Sequence, residues 1–212
     1  MLRRLTATAA AVVTAIGMSS ASGSQPLPRP APAMHTGVEV MAPYAFYDFC
    51  RRVPHECAPD QRPGSIVELT PERWAALNEV NDVVNQTIIP MSDLQQYGVA
   101  DYWAIATKYG DCEKYALTKQ LYLRQRGFPM GALLMTVVLD ENGDGHAILT
   151  VRTSRGDLAL DNREPRIVAW TEKPYKFIKR QSTLDPFTWL ILDSNPVVRH
   201  GDAVSSTRLS HR

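Results

Sequence analysis

One cysteine of the sequence has the surroundings of a nucleophile. Cys112 lies in the segment Tyr-Gly-Asp-Cys-Glu at 109–113, immediately before a stretch with helical periodicity. Backbone N–H groups at a helix start lack partners and the helix dipole is positive there, so this position favours a thiolate. The acidic neighbours Asp111 and Glu113 oppose that effect unless something neutralises them. We predict that Cys112 is the attacking group of a hydrolase, the alternative being an inert core cysteine.

A nucleophilic thiol needs a base, and His146 is the one histidine that falls in the predicted sheet. His146 begins one predicted strand and Asp161 ends the next. If the turn between them centres near residues 154–155, His146 lies opposite residue 163, and Asp161 is two residues along on the same face. A carboxylate beside a histidine fixes its tautomer and stabilises the imidazolium. The pattern predicts a triad, the alternatives being a surface histidine and a strand-end cap.

An acyl-transfer site also needs an oxyanion hole with a second donor beside the Cys112 backbone N–H. We predict this donor at Asn85 or Trp103, which lie in segments that precede the cysteine. The spacing of these residues does not choose between them.

Two other patterns of possible ligands have structural explanations. Cys50 and Cys57 are close enough in sequence to form a disulfide in an oxidising compartment. A metal site with His55 is the alternative, but its spacing fits no common zinc pattern. The segment 140–145 matches the first half of an EF-hand loop, yet the position of the bidentate glutamate is Val151. We therefore predict a hairpin turn there.

The elements that position these residues are helices first and strands second. Thr70 and Pro71 are a good N-cap and first residue for a helix whose apolar positions recur to Ile88, and Pro90 ends it. A second helix is predicted over 112–126. The strands are predicted at 132–139, 146–152, 158–161 and 167–170. This order predicts an α+β domain with N-terminal helices packed on an antiparallel sheet.

The ends of the chain differ in composition from its centre. Residues 1–23 have the basic start, apolar run and small residues of a signal peptide, the alternative being an uncleaved anchor. We predict a Pro-rich linker at 24–37, one domain at 38–198 and a disordered tail at 199–212. The mature chain is then periplasmic or secreted and lacks a membrane span. The net charge of +1 in 212 residues indicates no nucleic-acid partner.

Several segments together resemble the bacterial transglutaminase-like cysteine peptidases. They are Gly-Asp-Cys-Glu at 110–113, Gly-His-Ala-Ile-Leu at 145–149, Leu-Asp-Asn at 160–162, the Cys50–Cys57 segment, Val-Asn-Asp-Val-Val-Asn at 80–85, Tyr102-Trp103, Trp170 and Arg180-Gln181-Ser182. The resemblance implies a papain-like, transglutaminase-type core. It also implies that Cys112, His146 and Asp161 form the catalytic triad.

The resemblance has implications for cofactor and partner as well. The best understood members are calcium-dependent periplasmic proteases that cut large surface adhesins, which implies a protein substrate and a calcium ion held in part by Asp111 and Glu113. This sequence has Lys114 where an acidic residue is common, and that difference bears on calcium more than on catalysis. The substrate, the scissile bond and any membrane-protein regulator are not named by the sequence.

Three functions are compatible with these residues. The first is a peptidase that forms a thioester acyl-enzyme, and the second is an acyl transferase or amidase with the same triad. The third is a catalytically idle periplasmic binding module. Intact Cys112, His146 and Asp161 argue against the third, because an idle scaffold has no chemical need for all of them.

Overall fold

The computed structural model describes residues 26–59 and 65–192. The predicted signal peptide at 1–23 and the predicted tail at 199–212 lie outside these residues. None of the helices in the described ranges has the length and hydropathy needed to cross a lipid bilayer.

The helices of the described residues precede the main run of strands, as predicted. The helices are α1 (Tyr44–Arg52), α2 (Pro71–Thr87), α3 (Asp93–Tyr97) and α4 (Cys112–Gln125). The strands are β1 (Thr36–Val40), β2 (Ile89–Pro90), β3 (Tyr109–Gly110), β4 (Leu133–Leu139), β5 (Gly145–Thr153), β6 (Gly156–Leu160), β7 (Val168–Ala169), β8 (Lys176–Gln181) and β9 (Trp189–Leu192). The predicted N-cap of α2 is confirmed, since the Thr70 hydroxyl accepts a hydrogen bond from the Arg73 backbone N–H.

The strands form a seven-stranded antiparallel sheet in the order β1-β9-β8-β4-β5-β6-β7, and β2 and β3 form a separate parallel pair. In the β5–β6 hairpin Leu149 lies opposite Leu160 and Thr153 lies opposite Gly156. This is the predicted register, and its continuation places His146 opposite residue 163. Because side chains alternate along a strand, the register brings His146 and Asp161 to the same end and face of the hairpin.

Helix α4 packs on the sheet against β4 and β5, and α2 packs on α4. Leu77 and Val84 of α2, Leu117 of α4 and Leu149 and Val151 of β5 are all buried in one hydrophobic core. Burying a side chain of this size contributes about 1.5–3 kcal/mol. The core therefore fixes the N-terminal end of α4 against the start of β5, where the candidate site lies.

The described part of the Pro-rich segment that was predicted to be a linker lies along the sheet. The Ala31 N–H donates to the Arg155 carbonyl at 2.9 Å, and the Trp170 indole donates to the Pro32 carbonyl at 2.8 Å. Strand β1 then begins at Thr36, inside the predicted linker range. The folded part of the chain therefore includes residues that precede the predicted domain start.

Cys50 and Cys57 form a disulfide that links the end of α1 to the 3₁₀ turn after it. The side chain of His55 lies beside Glu56, with 3.3 Å between Nε2 and Oε1. The disulfide interpretation of this segment is therefore confirmed, and a metal site at the two cysteines is not formed.

Candidate active site

Cys112 is the first residue of α4, and residues before and after it are held by contacts with the segment 88–89. Strand β3 pairs with β2 immediately before the helix, with Tyr109 opposite Ile89. The Tyr115 hydroxyl donates to the Ile88 carbonyl at 2.6 Å. The position of the thiol is therefore set by packing of the helix and not by a mobile loop.

The thiol lies at the beginning of β5. The backbone N–H of Ala147, the residue that follows His146, is near enough to the Cys112 sulfur to lower the pKa of the thiol. The sulfur itself donates to Glu113 Oε2 at 3.1 Å. Burial raises the pKa of the Cys112 thiol above its ordinary value, and the negative charges of Glu113 and Asp111 raise it further. The thiol is therefore protonated at rest, and a base is needed to form the thiolate.

His146 and Asp161 form a buried pair. His146 Nε2 lies 2.9 Å from Asp161 Oδ1, and both side chains are buried. His146 Nδ1 has no hydrogen-bond partner among the described residues. The Tyr175 ring packs edge-on against the imidazole, with 5.6 Å between ring centroids. The carboxylate thus holds one ring nitrogen and leaves the other available to take a proton.

Asp161 is held by donors that keep it ionised. Its Oδ2 accepts from Lys173 Nζ and from the Tyr175 hydroxyl, each at 2.8 Å, and its Oδ1 accepts from the Arg163 N–H at 3.1 Å. Burial raises the pKa of Asp161, but the hydrogen bonds from His146 and Lys173 outweigh this effect and hold it well below the ordinary carboxyl range. An ionised carboxylate at this place stabilises a positive charge on the imidazole.

Helix α2 positions the loop that carries Asp161. Asn85 Nδ2 donates to the Asp161 carbonyl at 2.9 Å, and Asn81 Nδ2 donates to the Pro165 carbonyl at 2.7 Å. The two asparagines are four residues apart and so lie on one helix face. Sequence reasoning singled out the segment of these residues but not this anchoring role. The amide nitrogen of Asn85 is therefore used in a hydrogen bond to the Asp161 backbone.

The other predicted oxyanion donor, Trp103, lies in an aromatic cluster. Its ring centroid is 5.7 Å from that of Phe46 and 6.3 Å from that of Trp189. Its carbonyl accepts from Arg52 Nη2 at 2.6 Å. A role in an oxyanion hole stays a prediction for Asn85 and for Trp103.

Carboxylates gather around the start of α4. Oxygen atoms of Asp93, Asp111 and Glu113 lie within 4.8 Å of one another, a group that could hold a metal ion. Oxygen donors of this kind suit calcium. However, Lys114 Nζ donates to Asp93 Oδ1 and, at 2.8 Å, to Asp111 Oδ1. The donor set therefore fits calcium in its chemistry, but an ion would have to displace the lysine ammonium.

Two of these carboxylates were predicted ligands, whereas Asp93 was not foreseen. Asp93 follows Ser92 at the start of α3, and its sequence context indicates only a helix start. The segment 140–145, which resembles half an EF-hand loop, is a turn between β4 and β5. Asp140 Oδ1 accepts from the backbone N–H groups of Asn142 and Asp144, each at 2.9 Å, as predicted for a hairpin turn.

A thiol at a helix start beside a buried histidine–carboxylate pair, on an α+β fold of this topology, defines the transglutaminase-like class of cysteine hydrolases. Residues 36–196 match the family of bacterial transglutaminase-like cysteine proteinases. The chain belongs to this family and is a cysteine peptidase, as the resemblance of its motifs predicted. The comparison with curated protein sequences gives no match.

Solved structures of LapG from Legionella pneumophila are similar in fold. The calcium-bound form is 21% identical, with 64% of this chain and 73% of that chain covered and a TM-score of 0.46. The EGTA-treated form is 20% identical, with 71% and 78% covered and a TM-score of 0.48.

Proposed function

We propose that the protein is an exported cysteine peptidase that cleaves a protein substrate with Cys112, His146 and Asp161. The observation that carries the proposal is the buried 2.9 Å contact between His146 Nε2 and Asp161 Oδ1. It is supported by the effect of the Ala147 N–H on the pKa of the Cys112 thiol, since Ala147 follows His146 directly on β5. The signal-like sequence at 1–23 supports export.

The reaction follows from the roles of these groups. The Cys112 thiol gives its proton to His146 Nδ1, and the sulfur attacks the peptide carbonyl. The imidazolium, stabilised by the Asp161 carboxylate, then protonates the leaving amine as the C–N bond breaks and a thioester forms. Water attacks the thioester while His146 takes its proton. The proton passes to the sulfur as the C–S bond breaks, which releases the acid and restores the thiol.

The acidic cluster belongs to the same site. Without the Lys114 ammonium, Asp93, Asp111 and Glu113 could hold a calcium ion, which would cancel negative charge beside the thiol. Burial, with the charge of Asp111, raises the pKa of Glu113 to about 7. Positive charge near this cluster therefore favours the thiolate, whatever group supplies it.

The test is cleavage of a peptide library by the mature protein, read by mass spectrometry. The wild type is expected to cut at recurring positions, and Cys112→Ala and His146→Ala are expected to leave the library intact. Asp161→Asn is also expected to lose cleavage, and Asp157→Asn is its matched control, because Asp157 is likewise a buried carboxylate but contacts Met34 and Arg152. Equal cleavage by wild type and Cys112→Ala would overturn the proposal.

A second reading of the same samples separates hydrolysis from acyl transfer. With methylamine added, a hydrolase is expected to give mainly free acids at the new C-termini. An acyl transferase would give methylamides as the main product. In that case the triad would keep its proposed role, and an amine would take the place of water as the acyl acceptor.

A further inference from the structure

Lys114 is an unusual residue for the first turn of a helix beside a candidate nucleophile. Its side chain is completely buried, although a lysine is rarely buried without a partner. Its Nζ donates to Asp93 Oδ1 and to Asp111 Oδ1, and it lies 5.4 Å from the centre of the Tyr97 ring. The lysine is therefore part of the interior and not a surface residue that reaches inward.

The backbone beneath Lys114 is shaped to admit it. A Cβ atom on Gly110 would lie 2.8 Å from Lys114 Cβ and 3.1 Å from its Cδ. A glycine at 110 leaves room for the side chain at 114: the nearer contact would be with its Cβ, and the second with the aliphatic stem of the lysine. The segment Gly-Asp-Cys-Glu-Lys thus contains both the lysine and the space that it needs.

The ammonium joins segments that are distant in sequence. Asp93 begins α3, and its second carboxylate oxygen accepts from the Tyr102 N–H. The second oxygen of Asp111 accepts from the Asp93 N–H at 3.2 Å. Both carboxylates therefore use one oxygen for the backbone and the other for Lys114. The lysine completes a network that links α3, the chain at Tyr102 and the start of α4.

Without a cation this network would place uncompensated negative charge beside Cys112. Asp111 and Glu113 flank the cysteine, and Asp93 is buried next to them. Unpaired carboxylates at short distance repel one another and oppose a thiolate. A bound divalent ion would neutralise this negative charge. In this protein the Lys114 ammonium, a charge of the chain itself, is placed to do so.

We infer that Lys114 is the resident cation of the Asp93–Asp111–Glu113 cluster and that the protein assembles the start of α4 without a divalent ion. Its place between two carboxylates makes it a positioning residue for Cys112. That the start of α4 forms without a divalent ion is inferred from the cluster alone. Any effect of Lys114 on catalysis rests also on the proposed peptidase function. Lys114→Asp is then expected to create a calcium requirement that the natural chain lacks.

The experiment compares thermal unfolding of the mature protein in EGTA and in calcium chloride, with calcium titration by calorimetry. The wild type is expected to melt at one temperature in both and to bind no calcium at micromolar concentration. Lys114→Asp is expected to melt lower in EGTA and to recover when calcium is added, because a ligand that binds the folded state stabilises it. Lys119→Met is the control, since Lys119 is a buried lysine of the same helix whose Nζ has no hydrogen-bond partner in the described part of the chain. Its stability is expected to be the same with and without calcium.

Two results would overturn the inference. One is that the wild type binds calcium tightly and unfolds at a higher temperature in its presence. This result can be obtained even if no variant folds. The other is a folded Lys114→Asp protein that calcium does not stabilise. Peptide cleavage in EGTA is measured in parallel. If the wild type is insensitive to calcium but cuts no peptide, the proposed peptidase function fails while the inference about Lys114 stands.

Discussion

The two ends of the β5–β6 hairpin contain buried aspartates with different partners. Asp161 and Asp157 are each 1% exposed and lie four residues apart in the chain. Asp161 contacts an imidazole, an ammonium and a phenol. Asp157 accepts from the Met34 N–H at 2.8 Å and from Arg152 Nε at 3.4 Å. Equal burial therefore says little about the role of a carboxylate, and the partners decide it.

The partners at one end can exchange a proton, and those at the other end cannot. Asp161 faces His146, an imidazole whose ring nitrogens can each donate or accept a proton. Asp157 faces a backbone amide and a guanidinium, which act only as hydrogen-bond donors. The end with His146 and Asp161, here called the chemical end, is suited to catalysis. The end with Gly156 and Asp157, here called the fastening end, binds the N-terminal segment to the sheet. This difference can be tested by changing one end at a time.

The largest effect is expected for Asp161→Asn. In a Cys-His-Asp site the amide would fix the wrong histidine tautomer and would not stabilise the imidazolium, so kcat is expected to fall by a factor on the order of 10⁴. Folding stability is expected to fall by about 3–5 kcal/mol, because the buried Lys173 ammonium loses its counterion. Peptide cleavage and urea unfolding measure the two effects separately.

Asp157→Asn sharpens this comparison as the matched control. It is expected to lower stability while the folded protein keeps its kcat. An equal loss of kcat in both variants would show that the two ends do not differ in function.

Acid titration adds a further distinction. The pKa of Asp161 is held low, so its contribution is present above about pH 4 and is lost as the pH falls, whereas the Asn variant lacks this acid-sensitive part.

The next effect is expected at the fastening end. Gly156 has φ +101°, and a Cβ there would lie 2.1 Å from the Ala31 carbonyl oxygen. Gly156→Ala is therefore expected to cost about 3 kcal/mol or more, from strained backbone and displacement of the N-terminal segment. Gly143→Ala is the control, since Gly143 has φ +86° with nothing within 4 Å of a Cβ. It is expected to cost only about 1–2 kcal/mol. Equal losses in urea unfolding would contradict the close approach.

The sequence predicted the chemical end of the hairpin better than the rest of the site. A short turn and strict alternation fix the register of β5 and β6, so the meeting of His146 and Asp161 follows from local rules. Strand β8 was missed because Lys176, Lys179 and Arg180 hide its periodicity, although Arg180 is buried.

Contacts between segments that are distant in sequence were not predictable in the same way. Asp93 reaches the start of α4 only through the packing of α3, and Lys173 and Tyr175 reach Asp161 only because the chain returns to it after β7. No local pattern encodes these contacts. The contact of the described Pro-rich residues with the sheet was not predictable either, because proline favours an extended backbone but does not determine what lies beside it.

The smallest effect concerns a buried charge near the chemical end that has no hydrogen-bonding partner. Lys119 is completely buried, and its Nζ has no hydrogen-bond partner among the described residues. Burial lowers its pKa to about 7, although Asp161 attracts it. Below pH 7 the folded state therefore carries the full cost of a buried ammonium. This cost declines as the pH rises from 7 towards 10, because the folded state loses its proton before the unfolded state does.

Lys119→Met is accordingly expected to raise stability by about 1–4 kcal/mol at pH 6, as replacement of a buried charge by an apolar side chain does. The gain is expected to shrink at pH 10. The Lys119 Nζ makes no hydrogen bond within the described residues, so kcat is expected to fall far less than in Asp161→Asn. Urea unfolding at the two pH values measures the difference. A loss of stability at pH 6 would instead show that the ammonium is stabilised in the fold. The chemical end would then depend on three buried lysines, with Lys119 joining Lys173 at Asp161 and Lys114 at Asp111.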